Sequence, residues 1–502
     1  MQGACLVGTG AELVTVEARF EPIDRKRTEV VLTGLPDCVL RESRGRVVCA
    51  LEENGLGLAP GRLFLNLVPA ARRKSGEILD LPLALCAGAA CGSLDPRWLR
   101  DTLFLGELGI DGRLHAVPGG LATAAAAREA GIARLIAPPA TAREAACVPQ
   151  VDVRGARSLA EVVAHLAGGR PLARLRIETE PAEDPAPGPG LDEVRGHAAA
   201  KRALAVAAAG GHGLLLVGPP GAGKSMLARR MLRLLPPPGL EERIEITRTL
   251  SAAGRWPGGL ARARPFRAPH HTTSYAGLVG GGSTPAPGEV TLAHRGLLFL
   301  DELPEFRREA LEALRQPLES GRVLIARAAG RLDLPASFQL VAAMNPCPCG
   351  YRGHGRVVCT CSPGRVEQYR RRISGPLLDR IDLRLELSAP SLAELTGEPG
   401  PGADGTSEER LRGEVLGALQ RAHARQGPRP NARLQADELD RWVPVEGRVL
   451  DLLERAVAAR QLSARAVQSV RKVARTVADT EGSEGVDERH VAQALAMRNN
   501  WP

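Results

Sequence analysis

The chain has 502 residues, 44% of them hydrophobic, which is enough for three domains with a core each. Its net charge of +9 is modest for that length and favours a polyanionic partner without naming one. Apolar runs stay well short of the roughly 18 residues a membrane helix needs, and MQGACLVGTGAEL lacks the basic head and apolar stretch of a secretory signal. The expectation is a cytoplasmic protein with no membrane association.

Residues 1–172 alternate strand-like runs (RVVCALE, RLFLNLVPA, DTLFLGEL) with Ala-rich helical stretches, the pattern of an α/β domain. Cys5, Cys38, Cys49, Cys86, Cys91 and Cys147 stand singly among Ala, Val and Leu, where a reduced thiol acts as a small core residue. Residues 173–190 turn acidic and Pro-rich and read as an extended, solvated linker.

From 191 to 388 short, wholly apolar runs (GLLLVG, LLFLDE, FQLVAAMN) predict a parallel sheet buried by helices on both faces. The first run leads into Gly218, Pro219, Pro220, Gly221, Ala222, Gly223, Lys224 and Ser225, which fit G-x-x-x-x-G-K-[ST] between a strand and the helix KSMLARRMLRLL. Glycines let backbone N–H groups wrap phosphates, Lys224 reaches the β and γ phosphates of ATP, and the Ser225 hydroxyl ligates Mg²⁺. The second run ends in Asp301, suited to the Mg²⁺ shell, and Glu302, suited to activating water. Asn345, ending the third, is placed to orient that water.

Cys347, Cys349, Cys359 and Cys361 form two C-x-C steps nine residues apart, a ligand set for structural Zn²⁺, with His354 as a lesser candidate. Arg380, between Asp379 and Asp382, reads alone as half of a surface ion pair. Beside a nucleotide loop it also fits an arginine finger delivered to a neighbouring subunit's ATP, which requires a closed ring. Residues 389–502 are helical apart from GEPGPGADGTSEE, expected to be a disordered loop. His270 and His271 are adjacent, and on a regular element their side chains diverge, so they are expected to be structural or DNA-facing rather than a metal pair.

These segments, with GLPDCVLRESRGRV, VRGHAAAKRALAVAAAGGHGLLLVGPPGAGKSMLARR, RPFRAPHHTTSYAGLVGGG, AAMNPCPCG and SGPLLDRIDL, resemble the AAA+ ATPases of the magnesium-chelatase-like group, in particular the YifB/ComM family. The resemblance implies an AAA+ P-loop core at 191–388, a helical lid at 389–502 and a homo-hexameric ring. It makes Asn345 sensor 1, Arg380 the finger and Arg465 the sensor 2 arginine. It also implies a DNA motor that migrates branches during natural transformation or recombination. Two pore elements follow from it: an insert within RPFRAPHHTTSYAGLVGGGSTPAPGEV, and a hairpin tipped by Ala328, Ala329 and Gly330, with Arg327 and Arg331 beside it.

Residues 1–172 resemble the Lon peptidase domain, but Ile78 stands at the nucleophile's place and Ala122 to Ala127 replace the lysine segment. Ser75 is nearby without a base, so proteolysis is not expected, and the domain is assigned to capping the ring or binding a protein partner. A chelatase-type motor subunit and a protein-remodelling ATPase are the competing readings.

Overall fold

The computed structural model describes residues 1–23, 28–34, 37–69, 77–177, 180–281, 286–327, 330–354, 357–388 and 406–498. Ser75, the hairpin tip Ala328 and Ala329, the side chains of Arg327 and Arg331, and residues 397–405 of the Gly/Pro-rich stretch lie outside this description. Among the described residues no helix is long and apolar enough to cross a membrane.

The chain forms two compact units that do not follow its linear order. The first joins Met1–Pro181 to Leu240–Ala261 and Leu324–Leu334; the second joins Ala182–Gly239, Arg262–Val323 and Pro335–Pro502. Three consecutive domains were expected from the sequence, but the packing takes two stretches of the expected core into the first unit.

The first unit is built on a seven-stranded sheet in the order Glu29–Thr33, Gly61–Val68, Gly10–Pro22, Gln2–Val7, Thr102–Phe104, Arg134–Ala137, Asp152–Gly155. In Gly61–Val68 the apolar residues Leu63, Leu65 and Leu67 alternate with less buried neighbours, as a strand with one core face requires. The helix Gly120–Glu129 packs against the helix Pro139–Ala145 so closely that a Cβ on Gly120 would meet the Thr141 carbonyl oxygen at 2.2 Å. Its run of alanines is therefore a fitted interface, with Ala122, Ala124, Ala125 and Ala127 buried. Ile78, in the 3-10 turn Glu77–Leu79, is buried as well, on the core side rather than facing solvent.

The helix Leu240–Ala252 joins this unit through Ile244, which enters its core, and through Arg128 Nη2, which donates to Glu241 Oε2 at 2.6 Å. The strands Arg322–Arg327 and Gly330–Pro335 pair as the expected hairpin, whose Leu332 and Leu334 side chains come within 3.1 to 3.2 Å of where a Cβ on Gly8 would stand. Gly8 turns between the first two strands at φ +64°, a conformation that favours glycine.

The second unit holds a parallel sheet in the order Phe266–Arg267, Leu297–Leu300, Gln339–Met344, Leu214–Val217, Leu383–Glu386. Every residue of Leu214–Val217 and Leu297–Leu300 is buried, because helices cover both faces. Leu214, Leu216, Phe299 and Val341 share one core with residues of the helices Ala198–Gly210, Glu408–Gln426, Gly447–Arg460, Ala464–Glu481 and Glu488–Ala496. The C-terminal helices thus pack directly on the sheet-bearing core. Residues 181–190 carry no helix or strand, yet the chain is tied down: Arg233 Nη1 donates to the carbonyls of Ala186 and Gly188 at 2.9 and 3.0 Å.

In sheet order, the chain leaves Leu214–Val217, forms the far edge, returns to Gln339–Met344 beside it, and crosses to Leu383–Glu386 on the other side. The crevice beyond the carboxyl ends of Leu214–Val217 and Gln339–Met344 is therefore a topological switch point, where ligands bind in open α/β sheets.

Candidate nucleotide site, cysteine cluster and arginine pair

Gly218 to Gly223 fill that crevice between the strand Leu214–Val217 and the helix Lys224–Arg230. Gly221 and Gly223 adopt φ +79° and +78°, and a Cβ on Gly221 would meet nothing within 4 Å, so the loop's outer side is open for close approach. Gly218 is small for another reason: its Cβ would lie 2.7 Å from the Leu387 carbonyl oxygen. Pro219 and Ala222 are buried behind the loop, while Pro220 is exposed at its crest.

Lys224 is 9% exposed, and its Nζ donates to the carbonyls of Gly218 at 2.6 Å and Pro219 at 2.9 Å and to Asn345 Oδ1 at 3.1 Å. Burial lowers its pKa below the ordinary lysine value, with Asp301 and Glu302 opposing the shift. Ser225 Oγ donates to Asp301 Oδ2 at 2.6 Å. The carboxyl ends of three strands thus bring Lys224, Ser225, Asp301 and Asn345 together. Those donors and acceptors fit a magnesium triphosphate: an ammonium held on carbonyls that a phosphate can outcompete, and a hydroxyl–carboxylate pair of the type that takes up Mg²⁺.

Glu302 stands at φ +52°, unusual for a side chain of its kind, with its backbone N–H bonded to Asp301 Oδ1 at 2.9 Å. His271 Nδ1 lies 3.2 Å from Glu302 Oε2. The rings of His270 and His271 lie side by side with centroids 4.1 Å apart, contrary to the divergence expected of neighbours. The segment is neither helix nor strand there, so regular alternation does not apply.

A cavity of about 250 Å³ adjoins the loop, lined by His197 to Ala200 and by Leu385 to Ser388. His197 reaches it from the left-handed N-cap of the helix Ala198–Gly210, its Nε2 3.9 Å from where a Cβ on Gly223 would be. Sequence reasoning did not single out His197; a usable signal was GH directly before an Ala-rich helix.

The sulfurs of Cys347, Cys349, Cys359 and Cys361 all lie within 4.8 Å of one another. Three of the separations are 3.3, 3.6 and 3.5 Å, close to the edge of about 3.8 Å for a tetrahedron with Zn–S bonds of about 2.3 Å. The backbone N–H groups of Tyr351 and Thr360 bring Cys349 down to about 6; at Cys359 the backbone N–H of Cys361 lowers the pKa, but desolvation and the sulfurs of Cys349 and Cys347 together raise it to about 11. Four sulfurs at these separations are a set that can hold a metal ion, since thiolates this close repel one another without a cation between them. His354 is not part of this group; its Nδ1 accepts from the Val357 N–H at 3.2 Å. The cluster abuts the loop: Gly350, at φ +86°, has its Cβ position 2.8 Å from Pro220 Cδ.

Arg380 sits elsewhere. It precedes Leu383–Glu386, which runs parallel to Leu214–Val217 with Leu383 opposite Leu214, so it lies at the amino end of the sheet, and the phosphate-type loop lies at the carboxyl end. Four residues of strand separate the two ends by about 13 Å. Neither flanking aspartate takes Arg380: Asp379 accepts from Ser463 Oγ at 3.3 Å, and Asp382 pairs with His212 Nδ1 at 3.0 Å. Instead Arg380 pairs with Glu319, and so does Arg465 from the helix Ala464–Glu481, both on the same carboxylate oxygen. Arg465 therefore stands with Arg380 at one acidic residue that the sequence did not single out.

Three stretches match family descriptions: "Magnesium chelatase, subunit ChlI" over residues 190–395, "Subunit ChlI of Mg-chelatase" over 20–141, and "Magnesium chelatase, subunit ChlI C-terminal" over 405–498. The chain is 38% identical to the protein YifB of Escherichia coli, with 98% of this chain and 95% of YifB aligned. It is 38% identical to the competence protein ComM of Haemophilus influenzae, over 98% and 96% of the two chains. A Mycobacterium tuberculosis protein of uncharacterised role is 40% identical over 98% and 96%.

Proposed function

We infer function from one premise: this chain belongs to the family of YifB and ComM, and three of its segments match the magnesium chelatase subunit ChlI. The reading is of an ATP-hydrolysing AAA+ motor that assembles as a homo-hexamer and acts on single-stranded or branched DNA. The observation that carries it is the meeting of Lys224, the Ser225–Asp301 pair, Glu302 and Asn345 at the carboxyl edge of one parallel sheet.

In this reading the loop from Gly218 to Ser225 holds the phosphates, and Lys224 exchanges its carbonyl partners for phosphate oxygens. Ser225 and Asp301 hold Mg²⁺, which when bound neutralises charge on the phosphates. Glu302 accepts a proton from the attacking water, and Asn345, already within reach of Lys224, orients it. Arg380 serves a second copy, since its own loop lies at the other end of the sheet. Cys347, Cys349, Cys359 and Cys361 hold a structural Zn²⁺ that stiffens the wall behind Pro220.

The assignment to DNA is supported by the net positive charge and by a relative named for competence. The hairpin Arg322–Arg327 and Gly330–Pro335 and the segment around His270 are the elements offered to the strand. The first unit, with Ile78 and the alanine helix buried, is assigned to partner binding rather than peptide cleavage.

The test is the ATPase rate with and without single-stranded and branched DNA at two salt concentrations. Salt-sensitive stimulation is expected. A healthy rate indifferent to DNA would favour the chelatase-type or protein-remodelling motor instead.

A further inference from the structure

Arg380 and Arg465 come from separate elements, 85 positions apart, yet each directs an Nη2 to the same oxygen, Oε1 of Glu319. The backbone that carries the carboxylate is anchored: Arg433 Nη1 donates to the Glu319 backbone carbonyl at 2.9 Å, and Gly321 ends the helix Arg315–Ser320 at φ +69°. Arg380 is fixed as well, its Nη1 donating to the Pro376 carbonyl at 2.6 Å while its Nε is buried without a partner. Arg465 is half exposed and depends more on the carboxylate for its place.

A guanidinium offers five N–H donors, and one carboxylate oxygen engages one from each arginine here, leaving spare donors suited to an anion with several oxygens. Without Glu319 the two like charges would stand side by side, and repulsion would drive the freer Arg465 away. The pair is also at the end of the sheet remote from its own phosphate-type loop.

We propose that Glu319 is a positioning residue that gathers Arg380 and Arg465 into one fork, so that both guanidiniums meet a nucleotide phosphate held by a second copy of the chain as a unit. This rests on the reading of the protein as an ATPase whose Arg380 acts between subunits. It adds a residue that neither binds nucleotide nor touches the reacting atoms.

The experiment is steady-state ATPase kinetics on the full chain, with assembly size measured in parallel, for Glu319→Ala, Glu319→Gln, Arg465→Ala, Arg380→Ala and the double variant Glu319→Ala/Arg465→Ala. Glu319→Ala is expected to lower kcat about tenfold with KM for ATP within about twofold, because binding in the same subunit is untouched. The double variant is expected to match Arg465→Ala alone, since Glu319 acts through that arginine. Losses that multiply would mean Glu319 serves the fold and not the fork, and would overturn the proposal, as would wild-type kcat in Glu319→Ala. Should Glu319→Ala fail to fold, Glu319→Gln, which keeps the acceptor and removes the charge, carries the same comparison. Inactive Arg380→Ala beside fully active Glu319→Ala refutes the fork alone; fully active Arg380→Ala refutes the intersubunit reading and the fork with it.

Discussion

His271 Nδ1 lies 3.2 Å from Oε2 of Glu302, so the residue proposed to activate water has a side-chain neighbour from a separate segment. Glu302 is already committed to a left-handed backbone at φ +52°, and the imidazole stands beside its carboxylate. His271→Ala is expected to lower ATP turnover about tenfold with KM unchanged, and Glu302→Gln by about 10²-fold or more. A wild-type rate in His271→Ala would remove the histidine from the site.

The Lys224 ammonium spans the loop carbonyls and Asn345. Lys224→Ala is expected to abolish detectable ATP binding, read with a fluorescent nucleotide, and turnover with it. Measurable hydrolysis in that variant would contradict the site.

Zinc is expected to co-purify at about one ion per chain, measured by mass spectrometry of the metal. Because the Gly350 backbone packs against Pro220, a strong chelator should weaken ATP binding as well as lower the melting temperature. A metal-free preparation that folds and turns over normally would eliminate the cluster as a metal site.

The Asp382 carboxylate carries a pH prediction. Burial alone would raise its pKa, but His212, Ser469 and Arg498 outweigh that and leave it below the ordinary aspartate value. A carboxylate depressed in the folded state stabilises above its unfolded pKa of about 3.9, and that contribution disappears as pH falls through the folded value. His212 also meets Thr476 Oγ1 at 2.7 Å, so His212→Ala should cost about 1–3 kcal/mol at neutral pH. It should also move the acid limb of a thermal-stability profile to higher pH. An unchanged acid limb would show that His212 does not hold Asp382 ionised.

The parallel sheet was legible because continuous apolar runs of strand length have few other homes, and the loop was legible because glycine spacing, lysine and the following helix sit within one short window. The cysteine grouping was legible for the same local reason. Glu319 was not: its two arginines are 61 and 146 positions away, and nothing near it in sequence marks it. The divergence expected of His270 and His271 fails because a rule for regular elements does not hold in a segment that is irregular. Arg380, which alone reads as half of a surface ion pair, takes a distant partner rather than a flanking aspartate, since the turn before Leu383–Glu386 sends Asp382 toward His212.

The first unit draws on segments as late as Leu334, which places a constraint on synthesis from the N-terminus. With Leu240–Ala261 and Leu324–Leu334 still untranslated, the emerging sheet lacks Ile244 and Leu260 in its core and the leucines that lie over Gly8. Its apolar surface stays partly open until roughly two thirds of the chain has left the ribosome, the period in which such surfaces recruit chaperones. A fragment cut at the linker, a little over a third of the chain, would carry that opening permanently, so its soluble expression is expected to require both later segments grafted back.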